Sequence, residues 1–226
     1  MDGARFMKVC LDATDPLRTG RFWADLLDLE LRPYDNGECG VFGPDSTCVL
    51  WLNRVDTEKR VKHRVHLDVY TSSLAGLGAL GAEVLVPAGD DRVWTVMADT
   101  EGGEFCAFLR SELPVRRLHG LVVDSVDAAA QARWWARVFH ATVLDDEHGY
   151  STVQNVPGMP ILTMDFNHVP EPKTGKNRIH WDVAVPDTEL LFDAGASMVQ
   201  PRHGTVEWDV LADPEGNEFC AFTRPR

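Results

Sequence analysis

The sequence lacks three features that would assign it to other classes of protein. It contains no apolar run near the roughly 20 residues needed to cross a bilayer, and MDGARFMKVCLDATD includes no signal-peptide core. Its five cysteines are odd in number and form no CxxC pair, which disfavours a disulfide framework or a zinc ribbon. We therefore expect a cytoplasmic protein whose cysteines are reduced thiols.

Positive charge is also scarce. The chain has 22 Lys and Arg residues against 35 Asp and Glu residues, a net charge of −13 at pH 7. Such a chain repels phosphate backbones and anionic lipids, so we expect neither a nucleic acid nor a membrane as partner. Its 226 residues, 44% of them hydrophobic, suffice for two compact cores.

One short pattern, an apolar stretch followed by aspartate, occurs four times in the chain. The aspartates are Asp12, Asp68, Asp124 and Asp182, at intervals of 56, 56 and 58 residues. Regular spacing of this size indicates one supersecondary unit used four times. Residues 64–110 and 178–224 are identical at 20 of 47 aligned positions, which predicts two tandem domains, 1–113 and 114–226.

Each quarter is predicted to form a strand, a helix and three further strands. The four βαβββ modules cover about residues 5–57, 62–110, 117–170 and 176–224. Strand alternation places Val65, Leu67 and Val69 against the helix and Arg64, His66 and Asp68 on the opposite face. On the last strand of the same module, Glu104, Cys106 and Phe108 share one face. The fold class is therefore α+β.

Several motifs occur in order and twice: the helix GRFWADLLDLEL with ARWWARVFHATV, the RxHxD strand, and the endings DTEGGEFCAF and DPEGNEFCAF. Together they resemble the vicinal oxygen chelate superfamily, which includes glyoxalases, bleomycin-resistance proteins and extradiol dioxygenases. The resemblance implies that the modules pair into two tandem glyoxalase-like domains whose cupped mixed sheets hold a small molecule.

Metal-using members of that superfamily take a His or Gln from each module's first strand and a Glu from its last strand. His66 and His180 match the histidine position, but Cys106 and Cys220 stand where the Glu is expected. The first and third modules offer Lys8 and Gly120, while alternation predicts that His119 points to the other face. The resemblance leaves room for one divalent metal ion and favours a site without one.

Other candidate site residues follow from the same faces. Glu104 and Glu218 could act as general bases if a partly apolar cup raises their pKa. The four repeated aspartates are expected to bind backbone amides where the first strand turns toward its helix. Ligand contacts are predicted from the Arg and aromatic side chains, namely Arg64, Trp94, Phe108, Arg178, Trp208 and Phe222.

Two functions from different classes are consistent with these residues. The first is a binding protein that holds an aromatic or oxygenated small molecule unchanged. The alternative is a lyase, isomerase or dioxygenase that acts on vicinal oxygens through an incomplete metal shell. In either case the tandem arrangement is expected to replace the dimer of single-domain relatives, which predicts a monomer with internal pseudo-symmetry.

Overall fold

A computed structural model of the chain describes residues 3–145 and 149–223. These residues form four successive modules of the predicted βαβββ kind. The first contains β1 (Arg5–Ala13), α1 (Pro16–Leu27), β2 (Glu30–Pro33), β3 (Cys39–Phe42) and β4 (Cys48–Arg54). The second contains β5 (Val65–Thr71), α2 (Leu74–Ala79), β6 (Glu83–Val86), β7 (Thr95–Ala98) and β8 (Glu104–Leu109).

The second half of the chain repeats this order. The third module contains β9 (Leu118–Ser125), α3 (Ala128–Phe139), β10 (Thr142–Asp145), β11 (Tyr150–Gln154) and β12 (Thr163–His168). The fourth contains β13 (Ile179–Val185), α4 (Glu189–Asp193), β14 (Ser197–Gln200), β15 (Asp209–Ala212) and β16 (Glu218–Thr223). The α+β class and the four modules are confirmed. Residues 1–2, 146–148 and 224–226 of the predicted domains lie outside the described residues; they include three residues of the third module and the last residue of the fourth.

The two long helices begin at sequence signals that are visible in the chain. Asp15 accepts a hydrogen bond from the Arg18 amide and is followed by proline, and Asp127 caps α3 in the same way through the Ala130 amide. Both helices have 12 residues and end at a left-handed residue. No helix in the described part of the chain is long and apolar enough to cross a membrane.

The strands form two cupped eight-stranded sheets, and each sheet draws one module from each half of the chain. The order is β14-β15-β16-β13-β1-β4-β3-β2 in the first sheet and β10-β11-β12-β9-β5-β8-β7-β6 in the second. Antiparallel pairs β1 with β13 and β5 with β9 form the centres, and β4, β16, β8 and β12 flank them in parallel. Residues that share a cup therefore come from different halves of the sequence.

Aromatic packing joins the two modules within each half. Trp23 on α1 lies edge-on to Phe105 on β8, with ring centroids 5.3 Å apart, and Trp135 on α3 packs on Phe219 of β16 at 5.0 Å. These side chains are fully buried. The helical layer thus holds each half together, while the sheets connect the halves.

The acidic residues of the repeated ending DxEGxEF form hydrogen bonds that connect two modules. Asp99 accepts hydrogen bonds from the Gly103 amide at 2.8 Å and from Trp23 Nε1 at 3.3 Å. Glu101 accepts from the Thr14 and Asp15 amides at the start of α1, and Glu215 occupies the same place before α3. Carboxylates at these positions satisfy amides that the helix leaves unpaired and interact favourably with its dipole. The motif therefore links the second module of each half to the first.

Candidate functional site

Each sheet presents a polar face that forms a cup. We call the polar face of β1, β4, β13 and β16 cup 1, and the polar face of β5, β8, β9 and β12 cup 2. As predicted, Val65, Leu67 and Val69 are buried on the helical side of their sheet. Donor atoms converge in each cup within 4.8 Å of one another: Cys10, His180 and Asp182 in cup 1, and His66, Asp68 and Cys106 in cup 2.

The centre of cup 1 holds an internal ion pair. Lys8 Nζ lies 2.6 Å from Asp182 Oδ2, and the side chains are only 19% and 4% exposed. The ammonium also lies over the rings of Trp51 and Phe222, 5.7 and 5.5 Å from their centroids. The Cys10 thiol donates to Asp182 Oδ1 at 3.3 Å. The Lys8 side chain therefore occupies the centre of cup 1.

The electrostatics of cup 1 agree with this geometry. Burial alone would lower the pKa of Lys8, but the charge of Asp182, the neighbouring Cys10 and the hydrogen bond to Asp182 together outweigh burial and raise it. Burial, and then the adjacent Asp182 carboxylate, raise the pKa of Cys10 well above its ordinary value. The cup thus contains a charged lysine, its carboxylate partner and a neutral thiol.

Cup 2 has the same framework but lacks the ammonium. Sequence register places Gly120 at the position of Lys8, and strand pairing places Asp165 beside Val122 where Trp51 stands beside Cys10 in cup 1. A Cβ at position 120 would lie 3.3 Å from Asp165 Oδ2 and 3.6 Å from Asp68 Cγ. Two carboxyl groups therefore border the place that lysine fills in cup 1.

Asp68 has no cationic partner among the described residues. Its Oδ1 is buried and accepts no hydrogen bond. His66 Nε2 lies 3.5 Å from this oxygen, but the geometry does not form a hydrogen bond. Burial, with the charge of Asp165 adding to it, raises the pKa of Asp68 to about 8. Asp165 accepts from Thr152 and Thr163 at 2.6 and 2.7 Å, yet burial still raises its pKa. None of the described ion pairs includes Asp68 with a lysine or arginine.

Aromatic rings line one side of cup 2. The rings of Tyr70 and His119 stack at 4.0 Å between centroids, and Phe108 meets His119 edge-on at 4.9 Å. Trp94 lies 5.5 Å from Phe108, as Trp208 lies 5.3 Å from Phe222 in cup 1. Burial lowers the pKa of both His66 and His119 to about 4, so both rings are neutral at pH 7. His119 Nε2 is buried without a partner.

Two expectations about strand side chains are wrong. The register shifts between Asp68 and Val69, and this bulge turns the ring of His119 toward Tyr70 instead of the other face. Nor do the four repeated aspartates bind backbone amides among the described hydrogen bonds. Asp12 and Asp124 accept from Lys176 and Lys62, Asp182 accepts from Lys8, and Asp68 is hydrogen-bonded to the Cys106 thiol.

The expected rise in pKa is wrong for Glu104. Burial alone would raise its pKa, but hydrogen bonds from Lys59 Nζ at 2.6 Å and the His63 amide at 2.9 Å lower it below the ordinary value. Glu218 accepts from Lys173 Nζ at 2.8 Å in the equivalent way. These carboxylates anchor the loops before β5 and β13, and the geometry gives no support to a general-base role.

Arg64 and Arg178 bind the loops of the opposite half. Arg64 Nη1 donates to the Glu171 carbonyl at 2.7 Å, and Arg178 Nη1 donates to the Thr57 carbonyl at 2.5 Å. Both line a cavity of about 830 Å³ between residues 55–65 and 169–178. The lysines that line this cavity are each paired with a carboxylate: Lys59 with Glu104, Lys62 with Asp124, Lys173 with Glu218 and Lys176 with Asp12.

A divalent metal ion fits the two cups differently. In cup 1, a metal held by Cys10, His180 and Asp182 would lie beside the Lys8 ammonium, which repels it and already holds Asp182. In cup 2, His66, Asp68 and Cys106 offer one nitrogen, one oxygen and one sulfur, and no lysine or arginine forms a described ion pair with Asp68. That donor set suits zinc better than an octahedral oxygen-rich ion, although burial raises the pKa of the Cys106 thiol.

Comparisons with known proteins agree with this architecture. A family model described as a glyoxalase-like domain matches residues 8–108 and 120–222. Glyoxalase I from Zea mays has 13% sequence identity and a TM-score of 0.66, with 97% of this chain and 92% of that chain covered. A proposed dioxygenase from Bacillus subtilis has 10% identity and a TM-score of 0.67, with 98% and 86% covered. No curated protein matches the sequence significantly.

Proposed function

Because this chain belongs to the glyoxalase-like domain family, we propose that it binds a small aromatic or oxygenated molecule in cup 2. Such a molecule would pack against Phe108, Tyr70 and Trp94 and form hydrogen bonds with the carboxyl groups at the base of the cup. Cup 1 then has a structural role and binds no ligand. The solved relatives support the fold alone, because their sequence identity is low.

The observation that carries this proposal is the difference between the two cups. Lys8 fills the centre of cup 1, whereas Asp68 Oδ1 and His119 Nε2 in cup 2 are buried without partners. Buried polar atoms in a folded protein nearly always have a hydrogen-bond partner, and each exception needs an explanation. A bound molecule that supplies those hydrogen bonds would satisfy both of these atoms in cup 2. The adjoining aromatic rings would provide apolar contact.

A second candidate is a metal-dependent lyase, isomerase or dioxygenase. The convergence of His66, Asp68 and Cys106 favours it, since these residues would hold the metal. A bound divalent ion would polarise oxygen atoms of the substrate as a Lewis acid. The neutral ring of His66 is already in the form that ligates a metal. His180 and Cys220 of cup 1 would take no part.

Paired alanine variants separate the two cups. Small aromatic and oxygenated compounds that raise the melting temperature of the wild-type protein should bind Phe108→Ala about tenfold more weakly, because a ring contact of about 1 kcal/mol or more is lost. Phe222→Ala, the matched change in cup 1, should leave their affinity unchanged. Calorimetric titration measures both. Loss of binding only in Phe222→Ala would contradict the assignment of the ligand to cup 2.

Metal content of the same purified protein distinguishes the second candidate. The metal-dependent enzyme requires one equivalent of transition metal that is lost in His66→Ala and kept in His180→Ala. Elemental analysis after metal supplementation measures this. Ligand binding by a protein that takes up no metal favours the binding protein.

We also propose that the chain is a monomer. Each sheet is completed within one chain, since β1 pairs with β13 and β5 pairs with β9, and these central strands need no partner subunit. The expected sedimentation mass is 25.2 kDa. A mass near twice that value would contradict the proposal.

A further inference from the structure

Cup 1 contains an internal example of how this fold holds a cation. The Lys8 ammonium is bound by one carboxylate, Asp182, and lies against the rings of Trp51 and Phe222. Carboxylates and aromatic faces are the groups by which proteins recognise organic ammonium ions. Because the chain is duplicated, cup 2 contains a place equivalent to that of the Lys8 ammonium.

The equivalent place in cup 2 keeps the recognition groups and omits the cation. Asp68 corresponds to Asp182 and Phe108 to Phe222 in the aligned halves, while Gly120 corresponds to Lys8. Glycine supplies no side chain to fill the space, and its backbone here does not require glycine, because its φ is not among the positive values. The lysine side chain is thus absent from cup 2, and the side chains of Asp68 and Asp165 lie over residue 120 instead, within 3.6 Å of the place of a Cβ.

Neither Asp68 nor Asp165 forms an ion pair with a lysine or arginine among the described residues. Asp165 replaces an aromatic ring of cup 1, so a second carboxyl group faces the place from which the ammonium is missing. A cation placed between these two carboxyl groups would be within reach of both. Arg110 lies over the Tyr70 ring, 5.0 Å from its centroid, and Arg92 lies close enough to Cys106 to lower the pKa of that thiol. Neither arginine forms an ion pair with Asp68 or Asp165 among the described residues.

We propose that cup 2 binds an organic ammonium ion that carries an aromatic ring, with the ammonium between Asp68 and Asp165 and the ring against Phe108. This inference rests on the proposed function of cup 2 and specifies the class of its ligand. The ammonium takes the place of Lys8, and the stacked rings of Tyr70 and His119 extend the apolar wall beyond Phe108. A primary ammonium has three donors, enough to reach both carboxylates.

The test uses three probes of similar size that differ in charge: 2-phenylethylammonium, neutral 2-phenylethanol and anionic phenylacetate. Calorimetric titration at pH 7.5 should show that the ammonium binds the wild-type protein at least tenfold more tightly than the alcohol. Asp68→Asn and Asp165→Asn should each remove most of that preference. Phe222→Ala, the cup 1 control, should keep it.

Gly120→Lys provides an independent variant, since it would place an ammonium of the protein in cup 2. Its Cβ would lie 3.1 Å from Asp68 Cβ, so Asp68 must shift by a few tenths of an ångström. The folded variant, checked by circular dichroism, should lose ammonium binding at least tenfold. Retention of binding in Gly120→Lys, or in both asparagine variants, would overturn the proposal.

The outcomes also separate this inference from the function on which it rests. If the alcohol or phenylacetate binds as tightly as the ammonium, and Phe108→Ala weakens them all, cup 2 is a binding site but its ligand class is wrong. If Zn²⁺ binds to His66 and Asp68 while the ammonium does not, the inference fails in favour of a metal site. If bound compounds depend on Phe222 instead of Phe108, both proposals fail.

Discussion

Replacement of Lys8 by methionine is expected to destabilise the folded chain by about 3–5 kcal/mol, the usual cost of removing one partner from a buried ion pair. Methionine keeps most of the apolar stem but leaves Asp182, which is 3% exposed, without its cation. The nearby thiol of Cys10 is too weak a donor to replace an ammonium. Urea unfolding at pH 7 measures the change in free energy of unfolding.

Two further variants make this prediction specific to cup 1. Lys176→Met breaks an ion pair with Asp12 whose lysine side chain is 63% exposed, and it should cost less than about 1 kcal/mol. Asp182→Asn in the Lys8→Met background should recover part of the loss, because it removes the uncompensated charge. A cost for Lys8→Met no larger than that for Lys176→Met would show that the ion pair does not stabilise cup 1.

Asp68→Asn is expected to stabilise the chain increasingly as the pH rises. The pKa of Asp68 in the folded protein is about 8, well above the value of about 3.9 in an unfolded chain, so the folded state binds the proton more tightly. The contribution of the protonated carboxyl to stability is complete below pH 4 and is lost as the pH rises toward 8. Asparagine resembles the neutral acid and does not lose its proton.

The advantage of Asp68→Asn over the wild-type protein should therefore grow by about 2–3 kcal/mol between pH 6 and pH 8 and then level off. Unfolding curves of both proteins across this range provide the measurement. Asp182→Asn is the matched variant of cup 1, and it should destabilise at each pH because it leaves the Lys8 ammonium unpaired. A difference between Asp68→Asn and wild type that does not vary with pH would contradict the burial of Asp68 without a cationic partner.

Much of the fold could be predicted because it depends on local patterns. Period-two alternation places Val65, Leu67 and Val69 in the core, and the Asp-Pro signal of α1 is local. The repeat also indicates that His66 and Cys106 lie on one face of a module. Each of these features depends only on residues that are close together in the sequence of one strand or helix, and the structure confirms them.

The centre of each cup could not be predicted, since it depends on contacts between distant residues. Lys8 and Asp182 are brought together by the pairing of β1 with β13, which no local pattern specifies. A one-residue bulge reverses the expected direction of His119, and loop residues such as Lys59 determine the state of Glu104. The substitution of Gly120 for Lys8 was visible in the aligned repeats, but its meaning depended on knowing that Lys8 faces an aspartate.

The central claim is that the Asp68 carboxyl group of cup 2 is buried without a cationic partner, whereas in cup 1 Lys8 is the cationic partner of Asp182. Carboxyl ¹³C NMR of aspartate-labelled protein tests it most directly, with the Asp68 signal assigned by its absence in Asp68→Asn. The account predicts a titration midpoint near 8 in the free protein. Saturating 2-phenylethylammonium should lower that midpoint. A midpoint near the ordinary value of about 3.9, unchanged by the ammonium, would contradict the account.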